Sequence, residues 1–178
     1  MRPDQSSPSA DSAPGVLREL AADDLEDLIF LLDRDPDAYS VVAERVVAAG
    51  LDPMGSGGPT WGWYVDGELR CAVFVGPNVL LVETSPAARS AFASRLSRMG
   101  RRSSAIVGYR EEVVDLWNHL VADWGPCREL RDDQPLMVCA QDPAVESLAG
   151  VRRLNLSDLD AFLPAAIDIA ARVGSIWG

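Results

Sequence analysis

The sequence contains no lysine; its 16 basic residues are all arginine, set against 27 acidic ones, and the net charge is −11. A chain of that charge repels phosphate backbones, which argues against nucleic acid as a partner. Histidine occurs once, at His119. One imidazole leaves little material for a His-based triad or a His-rich metal centre. The three cysteines, Cys71, Cys127 and Cys139, are far apart and show no C-x-x-C spacing. They read as reduced structural thiols, and no metal site is expected. The longest apolar stretch, 71–82, is broken by Gly76-Pro77-Asn78 and is too short to span a bilayer. The opening Met1-Arg2-Pro3-Asp4-Gln5-Ser6 has no apolar core of a secretion signal, which points to the cytoplasm.

What is present is enough for one ordinary domain with some chain to spare: 178 residues, 48% of them hydrophobic. Residues 1–14, rich in Ser, Pro, Asp and Ala, have almost nothing to bury and read as a disordered tail. The spacing then predicts a strand at 16–20 and a helix capped by Asp23, with Leu25, Leu28, Ile29 and Leu32 on its apolar face. A second helix carries Tyr39, Val42, Val46 and Ala49 and stops at Gly50. Residues 51–60, with Gly55, Gly57, Gly58 and two prolines, are expected to form a mobile loop. The period then changes to two. Residues 61–65 and 68–75 flank Asp66-Gly67, the dipeptide of a type I′ hairpin, and 79–82 completes an antiparallel meander. Ser85-Pro86 opens a helix with Ala88, Phe92, Leu96 and Met99 as its buried stripe. A short strand at 104–107 follows. Glu111-Glu112 then start a helix whose apolar face holds Val113, Leu116, Trp117, Leu120, Val121 and Trp124, with Trp117 and Trp124 buried together. Two last strands are expected at 127–131 and 136–140.

The segment after the linker resembles the beginning of the chain. Arg18, Leu20, Asp24 and Leu25 align with Arg152, Leu154, Asp158 and Leu159 at a constant offset, and Asp23 and Ser157 match as helix caps. A strand at 151–154 and a helix from 158 would be the opening of a second copy that is not completed by Gly178.

The order of elements resembles the GNAT acetyltransferase fold: α/β (α+β), a mixed and mostly antiparallel sheet flanked by helices. Residues 16–140 look like the uncharacterised N-terminal domain of a set of actinobacterial tandem GNAT-family N-acetyltransferases. The resemblance is carried by Trp61-Gly62, Asp66-Gly67-Glu68-Leu69, Arg101-Arg102-Ser103-Ser104-Ala105-Ile106-Val107-Gly108, Leu116-Trp117, Trp124-Gly125-Pro126 and Arg131-Asp132-Asp133-Gln134-Pro135-Leu136-Met137-Val138. Residues 151–168 look like the start of the catalytic domain that follows it. The implied division is a tail at 1–14, a degenerate GNAT-like domain at 15–141, a linker at 142–150 and the start of a second GNAT domain at 151–178.

GNAT enzymes bind the pyrophosphate of acetyl-CoA at a glycine-rich turn entering a helix, where free amides cradle phosphate oxygens. The corresponding place here is Glu83-Thr84-Ser85-Pro86-Ala87-Ala88-Arg89. By resemblance Thr84, Ser85, Ala87, Ala88 and Arg89 form a vestigial cofactor site. It has no glycine, Pro86 removes a donor, Glu83 has the wrong sign, and Arg89 reads as a solvated surface residue. The family's general-acid tyrosine falls on Trp117, whose indole has no usable acidic proton, so no catalytic residue is expected. His119, beside Asp115, reads as an exposed surface histidine. Gly55-Ser56-Gly57-Gly58 reads as a flexible loop rather than a phosphate cradle. Trp61, Trp63 and Tyr64 are expected to place one ring in the core and one on a half-covered face. The resemblance implies an accessory, non-catalytic domain that holds no cofactor itself, acetyl-CoA belonging to full-length relatives. Its partner would be a GNAT catalytic domain, or a second copy through 151–178. The alternative is a stand-alone module that binds a small ligand or a protein, and a residually active acetyltransferase is the third reading.

Overall fold

The computed structural model describes residues 15–176 apart from 132, 143 and 147, and divides into two compact units, 15–138 and 139–176. The tail expected at 1–14 lies outside the described residues. The first unit runs β1 (Val16–Glu19), α1 (Leu25–Leu32), α2 (Ser40–Ala49), α3 (Pro53–Ser56), β2 (Thr60–Val65), β3 (Glu68–Val75), β4 (Asn78–Val82), α4 (Pro86–Met99), β5 (Ala105–Val107) and α5 (Arg110–Trp124). The second holds α6 (Leu159–Ile176). Among the described residues no helix is long and apolar enough to cross a membrane.

The strands form one sheet in sequence order, β1 to β5; the first three pairs are antiparallel and β4–β5 is parallel. The architecture is thus the expected mixed α/β one, a mostly antiparallel sheet with helices on both faces. Asp66 and Gly67 both take positive φ, 53° and 82°, as a type I′ turn requires. β3 is buried on both sides from Cys71 to Val75. Its even residues Ala72 and Phe74 join Leu80 and Val82 against α1 and α2. Its odd residues Cys71, Val73 and Val75 join Val79 and Leu81 against α4 and α5. A bulge between Trp63 and Tyr64 leaves Arg70 as the extra residue, since Trp63 faces Cys71 while Tyr64 faces Leu69. That one-residue step turns Leu69 onto the face of Ala72 and Phe74, where it is buried. The three aromatic rings of β2 divide as expected: Trp61 is fully buried, while Trp63 and Tyr64 are half-covered on opposite faces.

Several expectations need correction. Residues 51–60 are not all loop, because Asp52 accepts hydrogen bonds from the amides of Met54 and Gly55 and Pro53 opens the short α3. Residues 127–131 and 136–140 carry no strand, and Leu136, Met137 and Val138 are exposed. β5 is only three residues long, so it offers too short a ladder for such segments to pair with, and strand propensity without a partner does not make a strand. The helix openings are not capped by Asp23 and Ser157: the N-cap positions are Ala21 and Asn155, and a carboxylate three residues on closes each turn. Asp24, not Asp23, accepts the Ala21 amide at 2.8 Å, and Asp158, with Asn155 as cap, replaces Ser157. Trp117 is half-buried where full burial was expected, with Arg101 6.0 Å from its ring, and Val121 is exposed; Trp124 is buried.

The two aligned segments share one local hydrogen-bond pattern. Arg18 forms a two-pronged fork with Asp24 (Nη1–Oδ2 2.7 Å, Nη2–Oδ1 2.5 Å), and Arg152 does the same with Asp158 (2.6 and 2.6 Å). In each case the same carboxylate also accepts the backbone amide three residues earlier, of Ala21 or Asn155, on a 3₁₀ turn, Ala22–Asp24 or Leu156–Asp158, that leads into α1 or α6. Arg18 also donates to the Glu19 carbonyl and Arg152 to that of Arg153, both at 3.2 Å. Only the first fork has a strand beside it. Residues 151–154 are not a strand, because within 139–176 no other described strand exists to pair with them.

In denaturant melts, Phe92→Ala is expected to cost about 3–5 kcal/mol, since the ring is fully buried, and Trp117→Ala less than about 3 kcal/mol. Asp24→Asn should cost about 2 kcal/mol at neutral pH, the usual scale for a charge-assisted hydrogen bond. The Arg18 fork holds the Asp24 carboxyl well below the ordinary range, so its stabilisation is present above the unfolded value of about 4 and lost as pH falls below it. Melts of the Asn variant and the parent should therefore converge in acid.

Candidate functional site

β4 and β5 are paired only from Asn78–Ala105 to Leu80–Val107. Beyond that the chain leaves β4 for the N-terminus of α4 and β5 for the N-terminus of α5. The carboxyl ends of two parallel strands, each feeding a helix, form a recurrent place for ligands in α/β sheets. All five residues of the expected vestigial site, Thr84, Ser85, Ala87, Ala88 and Arg89, lie at this opening.

The backbone there is set by Glu83, whose φ of 51° is left-handed, an uncommon state for a residue with a side chain. Its conformation is tied down from the connection between α1 and α2. The Tyr39 hydroxyl accepts from the Glu83 amide at 3.3 Å and donates to its carboxylate at 3.1 Å, and Arg34 reaches the same carboxylate at 3.5 Å. Burial, with that carboxylate nearby, pushes the Tyr39 phenol well above its ordinary range.

The next amides are taken by the protein's own groups. The Thr84 amide donates to Glu112 Oε1 at 2.8 Å. The Ser85 amide donates to Cys71 Sγ at 3.4 Å, the Ala88 amide to Ser85 Oγ at 3.3 Å, and the Arg89 amide to the Ser85 carbonyl at 2.9 Å. Pro86 has none to offer. Glu112 is thus an internal anion, swung back from the first turn of α5 onto the turn before α4. Its other oxygen, Oε2, is buried without a partner. Burial raises the Glu112 carboxyl, against the pull of the Thr84 hydrogen bonds and of Arg89. Burial also raises the Cys71 thiol.

Arg89 is a correction. The sequence suggests a solvated surface residue, yet Arg89 is buried. Its Nη1 donates to the Thr84 carbonyl and, at 3.3 Å, to Thr84 Oγ1, and its Nε donates to Asp115 Oδ2 at 2.5 Å. The guanidinium lies under the turn and bridges α4 to α5. His119 is exposed, 3.9 Å from Asp115 on the next turn of α5, as expected. Among the described residues no group of three or more His, Cys, Asp or Glu side chains could hold a metal. Gly55-Ser56-Gly57-Gly58 is a tight structural corner: Ser56 is buried and its hydroxyl donates to the carbonyls of Asp52 and Gly58. Sequence reasoning missed Glu112, Tyr39 and Asp115 as members of this cluster. An acidic pair at a helix start reads as a dipole partner, and nothing in its spacing tells that one carboxylate folds back 28 residues in sequence.

The raised Glu112 carboxyl gives a pH test. A carboxyl whose folded value exceeds its unfolded value costs stability above both and costs nothing below them. Glu112→Gln removes that titration. Between pH 4 and pH 7 the melting temperature of Glu112→Gln should therefore move upward relative to the parent; a constant difference would show that Glu112 is not held in a desolvated site.

No curated protein and no solved structure matches the chain. A family model does, that of a Domain of unknown function (DUF4081), over residues 58–162. The matched region begins just before β2, takes in the Thr84–Glu112 cluster, and ends within α6, past the Arg152–Asp158 fork. With more than half of its length inside that model, the chain belongs to the DUF4081 family.

Proposed function

We propose that residues 15–138 form a degenerate GNAT-like domain that does not transfer acetyl groups itself and serves as the accessory unit of an N-acetyltransferase, whose catalytic domain begins with the 151–176 segment. The observation that carries the reading is the engaged state of the turn 84–89. An acetyl-CoA pyrophosphate needs several free amide donors and no competing negative charge. Here the amides of Thr84, Ser85, Ala88 and Arg89 already have partners, Pro86 lacks one, and the carboxylate of Glu112 stands where the incoming phosphate would. The residues do not fit the cofactor, so no acetyl-transfer step is derived through this domain. Trp117, half-buried against the core, supplies no acidic proton for a leaving thiolate.

The tandem part of the reading is supported by the two Arg–Asp forks, which repeat the same local structure ahead of α1 and α6. Two such openings in one chain are what a pair of related units requires. A cytoplasmic setting belongs to the same proposal.

Calorimetric titration of the chain with acetyl-CoA is the test. No saturable heat is expected with acetyl-CoA in the micromolar range. A low-micromolar dissociation constant would overturn the accessory reading, above all if Arg89→Ala weakened it.

A further inference from the structure

The two forks differ in what lies next to them. In the first unit Asp24 Oδ1 accepts a second hydrogen bond, 2.9 Å from the Tyr64 hydroxyl on β2, and the Arg18 guanidinium lies 4.2 Å from the Tyr64 ring centre. This covering ring completes the site. The Tyr64 phenol is pushed up to about 12 by burial and by the adjoining carboxylate, so it stays a donor at any physiological pH. β2 runs antiparallel to β1, with Gly62 opposite Arg18. A side chain on Gly62 would start 2.5 Å from Leu20 Cδ2, so that position must be small for Leu20 to be buried.

In the second unit the fork itself is present, with the Asp158 side chain 17% exposed against 11% for Asp24, and what is left open is the apolar surface around it. Among the described residues Asp158 Oδ1 accepts from Arg152 alone, whereas Asp24 Oδ1 accepts from both Arg18 and Tyr64. Leu20 is 4% exposed and its counterpart Leu154 51%; Leu28 is 0% exposed and its counterpart Phe162 49%. Leu159, Leu163 and Ile167 extend the same open stripe along α6.

From the match between the two forks we infer that residues 151–169 are a docking surface for one kind of occupant: a β-strand, backed by a hairpin partner, that lies antiparallel to 151–154. It places a glycine opposite Arg152 and, two residues on, a tyrosine whose hydroxyl reaches Asp158 and whose ring covers the Arg152 guanidinium. The first copy is the template, and charge complementarity fixes the chemistry. A phenol donates to the open lone pair of the carboxylate, and its ring face meets the cation. The strand supplies the backbone groups that 151–154 lacks, and its inward side chains bury Leu154 and Phe162. This rests on the geometry of the repeat and not on the acetyltransferase reading, and acetyl-CoA binding has no bearing on its test.

The probe is a synthetic peptide of residues 58–77 of this same chain, with Cys71→Ser, which carries the Gly62-x-Tyr64 pattern and its own hairpin partner. It is added to the full chain, and hydrogen exchange is read by mass spectrometry. Protection should rise in 151–154 and along 159–169. A peptide with Tyr64→Phe should bind about tenfold more weakly, the loss expected for one hydrogen bond to a charged group. The full-length Asp158→Asn variant should lose a similar factor while the 15–138 unit melts unchanged. Equal binding of the Tyr and Phe peptides, or no gain in protection at the solubility limit of the peptide, would overturn the inference. Protection of 151–154 already present in the monomeric chain would assign the surface to the first unit. Protection that grows with chain concentration alone would assign it to a second copy. Either would overturn the stated occupant.

Discussion

The burial of β3 and β4 on both faces is the constraint that organises the first unit. From Cys71 to Val75 every side chain is inside, so two separate sets of helices must exist to cover them: α1 and α2 on one side, α4 and α5 on the other. A strand in that position cannot shift by one residue without exchanging its two cores. The register is therefore fixed by packing on both faces, and the single bulge at Arg70 lies where β3 leaves the doubly covered region. The edges have no such demand. β1 and β5 are short and largely exposed, and they end the sheet.

That same constraint explains what could be read from the sequence. The period-two segments, the Asp66-Gly67 turn, the Ser85-Pro86 helix start and the glycine stops are local signals with local causes, and they stand in the structure as written. The strands expected at 127–131 and 136–140 failed because alternation reports a preference, whereas a strand needs a ladder beside it. The facing of Trp117 failed because a helix of 15 residues packed on one layer has a flank, and an indole on the flank is only half covered. At the candidate site the position of 84–89 was legible and its wiring was not. Arg89 turns inward and Glu112 turns back because each meets a group brought near by the β4–α4–β5 crossover, a relation between residues more than 20 apart in sequence.

The turn before α4 is saturated by groups the chain itself provides, and the arrangement is held from both faces of the sheet. Tyr39 and Arg34 grip Glu83 from one side, while Glu112 and Arg89 grip Thr84 from the other. A left-handed residue persists when its surroundings leave it no alternative. The cluster therefore serves as a clamp that joins two cores across the end of β4. Because the Glu112 carboxyl is poorly solvated in it, ionising that group weakens the clamp.

The forks connect residues only six apart, and the amide-to-carboxylate bonds beside them span three. Such contacts close small loops, which form within microseconds and depend little on the rest of the chain. The β1–β2 ladder, by contrast, joins Glu19 to Trp61 across three helices. The order of events this implies is that the arginine and aspartate of each opening find one another first and fix the direction in which α1 or α6 departs. The distant strand then arrives at an edge whose angle is already set. During synthesis from the ribosome, the first unit would expose such a prepared edge for as long as β2 takes to emerge.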